Sequence, residues 1–201
     1  MTRLLLALPL LLATLPAHAH HAMDGKLPYS FATGLLSGLA HPVIGLDHLA
    51  FLVAAGLLSL AHRRWLLVLP LAFMLASLAG TLLHIQEYDL PGGEALVALS
   101  VIAFAALLLW SRVLPVALFA LLLSFAGLFH GYAFGESIVG AETAPLTGYL
   151  IGLGLIQYAL TAGIALGFLR FAPARPILLQ RAAGLVAGLV GLGFFASQMA
   201  G

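Results

Sequence analysis

Two histidines and an aspartate lie within eight residues where the chain enters its first long apolar segment. They are His41, Asp47 and His48, with Pro42 and Gly45 between them. Titratable side chains at membrane depth are rare, and they usually pair with one another, line a cavity or bind a substrate. Because an apolar helix spans a bilayer without them, they indicate a functional site. Imidazole and carboxylate groups bind divalent transition metals, so we predict a metal-cation site.

Further histidines and carboxylates recur at the ends of three later apolar segments. His84 ends the second segment, Glu94 opens the third, and His130 lies in the last turns of the fourth, just before Glu136. Because successive spans run in opposite directions, these residues and the first cluster fall at the same depth, near the outer surface of the membrane. We call this depth the outer layer, and we predict that these side chains line a shared cavity there. Other roles stay open: His84 also fits an ordinary interfacial residue, and His130 fits a backbone hydrogen bond. Glu94 and Asp47 also fit helix starts, where a carboxylate offsets the macrodipole.

Composition sets the class of protein. The chain is 63% hydrophobic and 7% charged, with a mean hydropathy of +1.13, whereas soluble domains are typically about one quarter charged. A net charge of +1 gives no basic surface for nucleic acid, and the absence of cysteine excludes disulfides and thiolate metal sites. We predict an all-α integral membrane protein, with residues 20–201 forming a single six-helix transmembrane domain.

Residues 1–19 have the pattern of a secretory signal peptide. Arg3 supplies a positive start, residues 4–15 are apolar, and Ala-His-Ala at residues 17–19 matches a cleavage site. An uncleaved anchor helix is the alternative, but the apolar run is short. Cleavage would leave His20 as the mature N-terminus, where its α-amine and imidazole, with His21, form a second candidate metal site. A polar leader without any ligand role is the alternative reading.

Six apolar segments of spanning length follow the leader. A shorter apolar piece between Tyr29 and Ala40 precedes them, and we expect it to be a re-entrant or interfacial helix. Pro42 disfavours helical geometry at His41 and suits the first position of a helix, which predicts a break at His41. The predicted spans are 42–61, 65–85, 94–110, 113–134, 146–169 and 177–199.

The charged residues divide between the two sides of this topology. Five arginines fall in alternate loops, at positions 63, 64, 112, 170 and 175, whereas all seven acidic residues fall on the opposite side. The positive-inside rule places the arginines in the cytoplasm. We therefore predict a multi-pass protein of the bacterial inner membrane, with both mature termini on the periplasmic side.

Three pairs of glycines four residues apart occur in the last two spans. They are Gly148 with Gly152, Gly163 with Gly167, and Gly184 with Gly188. Such faces let helix backbones approach closely in lipid. They predict close packing in the bundle, and a homo-oligomer where a face lies on the outside.

The two His-containing motifs resemble the signatures of the HupE/UreJ family. The first reads H-P-x-x-G-x-D-H at residues 41–48, and the second reads F-H-G-x-A-x-G-E at residues 129–136. The resemblance covers essentially the whole mature chain. It implies a small membrane permease for nickel or cobalt, associated with hydrogenase and urease operons. It also implies that the titratable residues of both motifs handle the metal; Glu94 corresponds by position only, and His84 depends on the layer argument alone.

Ligand chemistry does not choose among nickel, cobalt, zinc and copper, because their affinity order is generic and selectivity depends on geometry. The transported ion is the expected ligand, with no tightly bound cofactor. No nucleotide-binding motif is present, and below the outer layer no ionisable residue marks an exit route. Two alternatives stay open. One is a membrane-embedded metal-dependent hydrolase with Glu136 as base, and the other is a haem-binding bundle with two axial histidines.

Overall fold

The computed structural model describes residues 27–110, 112–171, 174 and 176–200. Within these ranges the chain forms α-helices and two short 3₁₀ helices, Leu60–Trp65 and Glu136–Ile138, and no strand. The predicted signal peptide and His20 lie outside the described residues. The α-helices are α1 (Phe31–Ile44), α2 (Leu46–Ser59), α3 (Leu69–Ile85), α4 (Gly93–Trp110), α5 (Val116–Gly135), α6 (Thr143–Arg170) and α7 (Pro176–Ala200).

Four of the described helices are long and apolar enough to cross a membrane. They are α4, α5 with its following 3₁₀ turn, α6 and α7. A fifth crossing results if α1 and Leu46–Trp65, which meet at a bend of 77°, are taken as one broken span, whereas α3 is apolar but has only 17 residues. The all-α fold is confirmed, and the helices are those of a multi-pass membrane protein. Six spans stay a prediction.

The break before α2 lies at Gly45, and the prediction of a break at His41 was wrong. Helix α1 continues through Pro42 to Ile44. A proline inside a helix removes one N–H donor, but the Gly45 N–H still donates to the His41 carbonyl at 3.1 Å and closes the last turn. Gly45 then adopts an extended conformation, with φ −71° and ψ 104°. An added Cβ there would lie 2.7 Å from Cδ2 of His48, so the glycine makes room for that ring.

Glycines bring three helix pairs into backbone contact. An added Cβ would overlap Tyr149 O of α6 at Gly38 of α1, and the Ser77 backbone of α3 at Gly131 of α5. In the pair of α4 and α7, an added Cβ on Gly191 would press against the Ala98 carbonyl at 3.2 Å. Interhelical contact this close requires residues without side chains.

Two of the three predicted glycine pairs contribute to contacts between helices of the same chain. Gly148 and Gly152 pack against the α1 backbone, and Gly184 packs against α4. No atom of the described chain lies within 4 Å of a Cβ added at Gly163 or Gly167. The prediction of a homo-oligomer therefore depends on that face of α6.

Helix α2 lies at the centre of the bundle and packs against α4, α6 and α7. Its Phe51 is fully buried, with ring centroids 4.9 Å from Phe73 of α3 and 4.5 Å from Phe104 of α4. The same ring lies 4.5 Å from the ring of His130. An aromatic core therefore borders the histidines of the two motifs.

Candidate metal site

Three histidines of the two motifs meet where α1, α2 and α5 come together. His41 lies near the end of α1, His48 in the first turns of α2, and His130 in the last turns of α5. Their side chains are 6%, 7% and 0% exposed, respectively. Burial of an imidazole requires hydrogen-bond partners, and the structure supplies them to all three rings.

His48 and His130 contact each other directly. Their Nδ1 atoms are 2.7 Å apart, within hydrogen-bonding distance, and their ring centroids are separated by 4.9 Å. On its other side, Nε2 of His130 lies 2.9 Å from the Ser100 hydroxyl of α4. Ser100 in turn donates to the Val97 carbonyl of its own helix at 2.7 Å. A hydrogen-bonded chain thus runs from α2 through α5 to α4.

His41 heads a second hydrogen-bonded chain. Its Nδ1 lies 2.9 Å from the Tyr149 hydroxyl of α6 and 3.1 Å from the Ser137 hydroxyl. Tyr149, which is fully buried, donates to the Phe134 carbonyl of α5 at 2.8 Å. His41 is therefore held by one hydroxyl from α6 and one from the 3₁₀ helix Glu136–Ile138.

Phe134 joins the two chains. Its ring centroid lies 5.0 Å from that of His41 and 4.1 Å from that of His48. The two histidine rings are themselves edge to face, with centroids 6.2 Å apart. The first motif and the second therefore form one contiguous cluster around an aromatic ring.

Asp47 lies at the edge of this cluster in the first turn of α2 and is half-buried. Its Oδ1 accepts a hydrogen bond from the His48 backbone N–H at 2.8 Å. A carboxylate at a helix start offsets the macrodipole, so Asp47 has a structural role here. It also places a negative charge one residue away from a buried imidazole.

The other predicted ligands lie outside the three-histidine cluster. Glu94, at the start of α4, and Glu136, after α5, have exposed side chains. His84 is half-buried with its ring 4.3 Å from that of Tyr132, and its Nδ1 is buried without a hydrogen-bond partner in the described chain. His20 falls outside the described residues. These four residues stay predictions as metal ligands.

In the described ranges, no three histidine or carboxylate side chains are grouped closely enough to hold a metal ion. Metal–nitrogen bonds of about 2.0–2.1 Å separate two coordinated ring nitrogens by about 3–4 Å. The 2.7 Å contact between His48 and His130 is instead a hydrogen bond in which one ring donates and the other accepts. A cation would have to bind other nitrogen atoms of the cluster or open this pair.

Sequence reasoning missed the hydroxyl groups that support the histidines. Tyr149 reaches His41 from 108 residues away, and no local pattern connects them. Ser100 is the only polar residue in the middle of its apolar segment, 95–109, which is the one signal that could have identified it. Ser137 directly follows the second motif and could have been included with Glu136.

Comparison with known proteins assigns the family. The family described as HupE / UreJ protein matches residues 8–194. The protein HupE of Rhizobium leguminosarum bv. viciae is 32% identical over 173 residues, which cover 85% of this chain and 86% of that protein. No solved structure matches the chain. The matched region includes both motifs that meet at the His48–His130 contact. From these two matches we conclude that the chain belongs to the HupE/UreJ family.

Proposed function

We propose that the protein is an inner-membrane permease for a divalent transition-metal cation, with nickel as the first candidate and cobalt as the second. The ion binds at the cluster of His41, Asp47, His48 and His130. The contact between His48 and His130 supports this proposal most directly, because it joins the two motifs of the family in one buried site. Neutral imidazole suits nickel, cobalt, copper and zinc.

The chemistry of the cluster suits passage of an ion. A permeation site must replace part of the hydration shell, yet release the ion. Imidazoles supply nitrogen ligands, and Asp47 supplies a charge that offsets that of the dication. The exposed carboxylates of Glu94 and Glu136 would raise the local cation concentration at the mouth. His84, and His20 after cleavage of residues 1–19, would capture the ion before it enters.

The proposed topology has six spans and both mature termini in the periplasm. Helix α1, which meets Leu46–Trp65 at a bend of 77°, would be the re-entrant or interfacial helix. Leu46–Trp65 and the short helix α3 would provide the first two crossings. The structure supports this arrangement, since Ala61 and Arg112 line one cavity, so the connections that carry Arg63, Arg64 and Arg112 meet at the same end of the bundle. Glu87, Asp89 and Glu142 lie in connections that alternate with them. The histidine cluster is then reached from the periplasm.

Uptake of radiolabelled nickel by cells with and without the gene tests the proposal. We expect faster uptake at limiting nickel when the protein is present, and loss of that gain in a His48→Ala variant made at wild-type levels. An Arg64→Ala variant, changed at an exposed residue of the 3₁₀ helix Leu60–Trp65 and away from the histidine cluster, is the matched control. Equal nickel and cobalt uptake with and without the protein would contradict the proposal.

Purified protein and the uptake assay together distinguish the two alternative functions, a haem-binding bundle and a metal-dependent hydrolase. Purified protein with a haem absorption band would support the haem-binding bundle, although His48 and His130 contact each other directly and leave no space for a porphyrin between them. Turnover of a peptide or lipid substrate, without any effect on nickel uptake, would support the hydrolase.

A further inference from the structure

The cavity lined by Ala61 and Arg112 lies at the end of α2 that is away from the histidine cluster. Its volume is about 250 Å³, and its walls come from the ends of α2 and α4, the 3₁₀ helix Leu60–Trp65 and the first turns of α7. At a rise of about 1.5 Å per residue, Leu57 in its wall lies about 14 Å along α2 from His48. The cavity is therefore separate from the candidate metal site.

The lining of this cavity is apolar apart from two side chains. Five leucines, one alanine and one valine form the walls, and the two polar residues are Arg112 and Gln180. Arg112 is exposed and Gln180 is half-buried. In the part of the chain that the structure describes, neither side chain has a hydrogen-bond or ion-pair partner. A guanidinium group with its charge and its five N–H donors unused thus borders an apolar cavity.

No carboxylate of the described chain neutralises Arg112. Glu94 starts α4 and Arg112 follows its end, so about 24 Å of helix separates them. Asp47 likewise lies in the first turn of α2, whereas the cavity is at the other end of that helix. The 3₁₀ helix that contributes to the lining carries two more exposed arginines, Arg63 and Arg64. The potential around the cavity is therefore positive, and an anionic group is the complementary ligand.

The two tryptophans of the chain indicate the depth of this cavity in the membrane. Trp65 ends the 3₁₀ helix beside it, and Trp110 ends α4 just before Arg112. Both side chains are exposed. Tryptophans in membrane proteins are enriched at the level of the lipid headgroups. The cavity therefore lies where headgroups meet acyl chains.

We propose that this cavity binds an anionic phospholipid. The lipid phosphate pairs with Arg112 and accepts from the Gln180 amide, and one acyl chain lies against the leucines of α2 and α4. The site requires only that the protein is embedded in a bilayer, and it does not depend on ion transport.

The chemistry of the lining favours this ligand over smaller ones. Guanidinium groups bind phosphate with paired, charge-assisted hydrogen bonds, and basic pockets between membrane helices bind anionic headgroups. A free phosphate would leave the leucine walls uncovered, and a metal cation would be repelled by the arginine. The volume of about 250 Å³ is below the roughly 300–1,000 Å³ of pockets that enclose a whole small ligand, so only part of the lipid enters.

Quenching of tryptophan fluorescence tests the site, because both tryptophans lie within four residues of the cavity lining. Full-length protein is reconstituted in phosphatidylcholine vesicles with increasing fractions of brominated phosphatidylglycerol or brominated phosphatidylcholine. We expect phosphatidylglycerol to quench at an about fivefold lower fraction, the factor that corresponds to about 1 kcal/mol per arginine near anionic lipid. Arg112→Gln should abolish this preference. Equal quenching by both lipids in the wild-type protein, or an unchanged preference in Arg112→Gln, would overturn the proposal.

Arg170→Gln is the matched control, because Arg170 is an exposed arginine at the end of α6 and outside the cavity lining. It loses the same charge and should keep the preference. Equal loss in both variants would indicate general attraction to the membrane surface and contradict a discrete site.

Two further measurements distinguish a lipid in the cavity from a free anion. Ala61→Phe narrows the cavity without changing any charge and should weaken the preference, whereas a wild-type preference would contradict an acyl chain in the cavity. Sodium phosphate should relieve quenching no more than sodium chloride of the same ionic strength. Selective relief by phosphate would identify a free anion as the ligand and refute the lipid site.

Discussion

Replacing Asp47 by asparagine separates a metal-binding carboxylate from one that only starts a helix. Asp47 is half-buried, and its Oδ1 accepts the His48 N–H at 2.8 Å. Asparagine keeps an oxygen acceptor at that position, so the local hydrogen bond survives and only the charge is lost. If the charge serves the helix macrodipole alone, the change costs about 0.3–1 kcal/mol of stability.

The expected effect on metal binding is larger. Two unit charges about 4 Å apart interact by about 4 kcal/mol at an effective dielectric constant of about 20, and a dication interacts about twice as strongly. The partial exposure of Asp47 and the cost of desolvating its carboxylate reduce that gain. We expect a net loss of about 1.5–3 kcal/mol in nickel binding, which is about a tenfold to hundredfold loss of affinity.

Calorimetric titration of the purified protein with nickel chloride measures this loss, and uptake at limiting nickel measures its consequence in cells. Glu142→Gln is the control, because Glu142 is an exposed residue that precedes α6 without a side-chain capping bond. Screening by salt should keep its effect on affinity small. Wild-type affinity and uptake in Asp47→Asn, at normal protein levels, would refute the role of Asp47 in metal binding.

Three further predictions test packing, the bundle interior and topology. Gly80→Ala should lower stability in detergent by about 1–3 kcal/mol, because an added Cβ would overlap the facing backbone of α5; Gly163→Ala, with nothing within 4 Å, should not, and equal melting temperatures would contradict this account. Gln157 has a buried amide oxygen without a partner in the described chain, and its Nε2 donates to the Ser77 hydroxyl at 2.8 Å. The double variant Ser77→Ala/Gln157→Met should raise the melting temperature, because it removes both partners of that bond together with the unsatisfied oxygen, which costs about 1–3 kcal/mol; a lower melting temperature would contradict this account. In this cysteine-free chain, a cysteine at Glu142 should react with impermeant thiol reagents in intact cells while one at Ala174 should not, and the reverse pattern would invert the proposed topology.

Hydropathy predicted the helices well where a long apolar run ends at a turn residue. The predicted spans 94–110 and 177–199 correspond to α4, Gly93–Trp110, and α7, Pro176–Ala200. The prediction was less accurate at 65–85, because the chain forms a 3₁₀ helix through Trp65 and α3 begins only at Leu69, with a proline in its first turn. Apolar composition continues across such a connection, so hydropathy alone does not mark it.

The site was partly predictable for a geometric reason. Counting residues through antiparallel spans placed His48 and His130 in one layer, and their nitrogens are in contact. The same count placed Glu94 and Glu136 in that layer, but both side chains are exposed. The position of a residue along a helix gives its depth in the membrane, and it does not determine whether the side chain faces the bundle interior. The partner of His41 depends on how α6 packs against α1, which only the tertiary structure determines.

The glycines of the two motifs have a geometric role that differs from the chemistry of the histidines. Gly45 leaves space for the His48 ring at the helix break, Gly131 lets α5 pack on the α3 backbone next to His130, and a Cβ on Gly135 would overlap the His84 side chain. Each glycine is within five residues of a histidine whose position depends on close approach of two segments. A methyl group at these positions would therefore shift the helix that carries the histidine. Loss of activity in such variants would reflect a displaced backbone, with every nitrogen of the site still present.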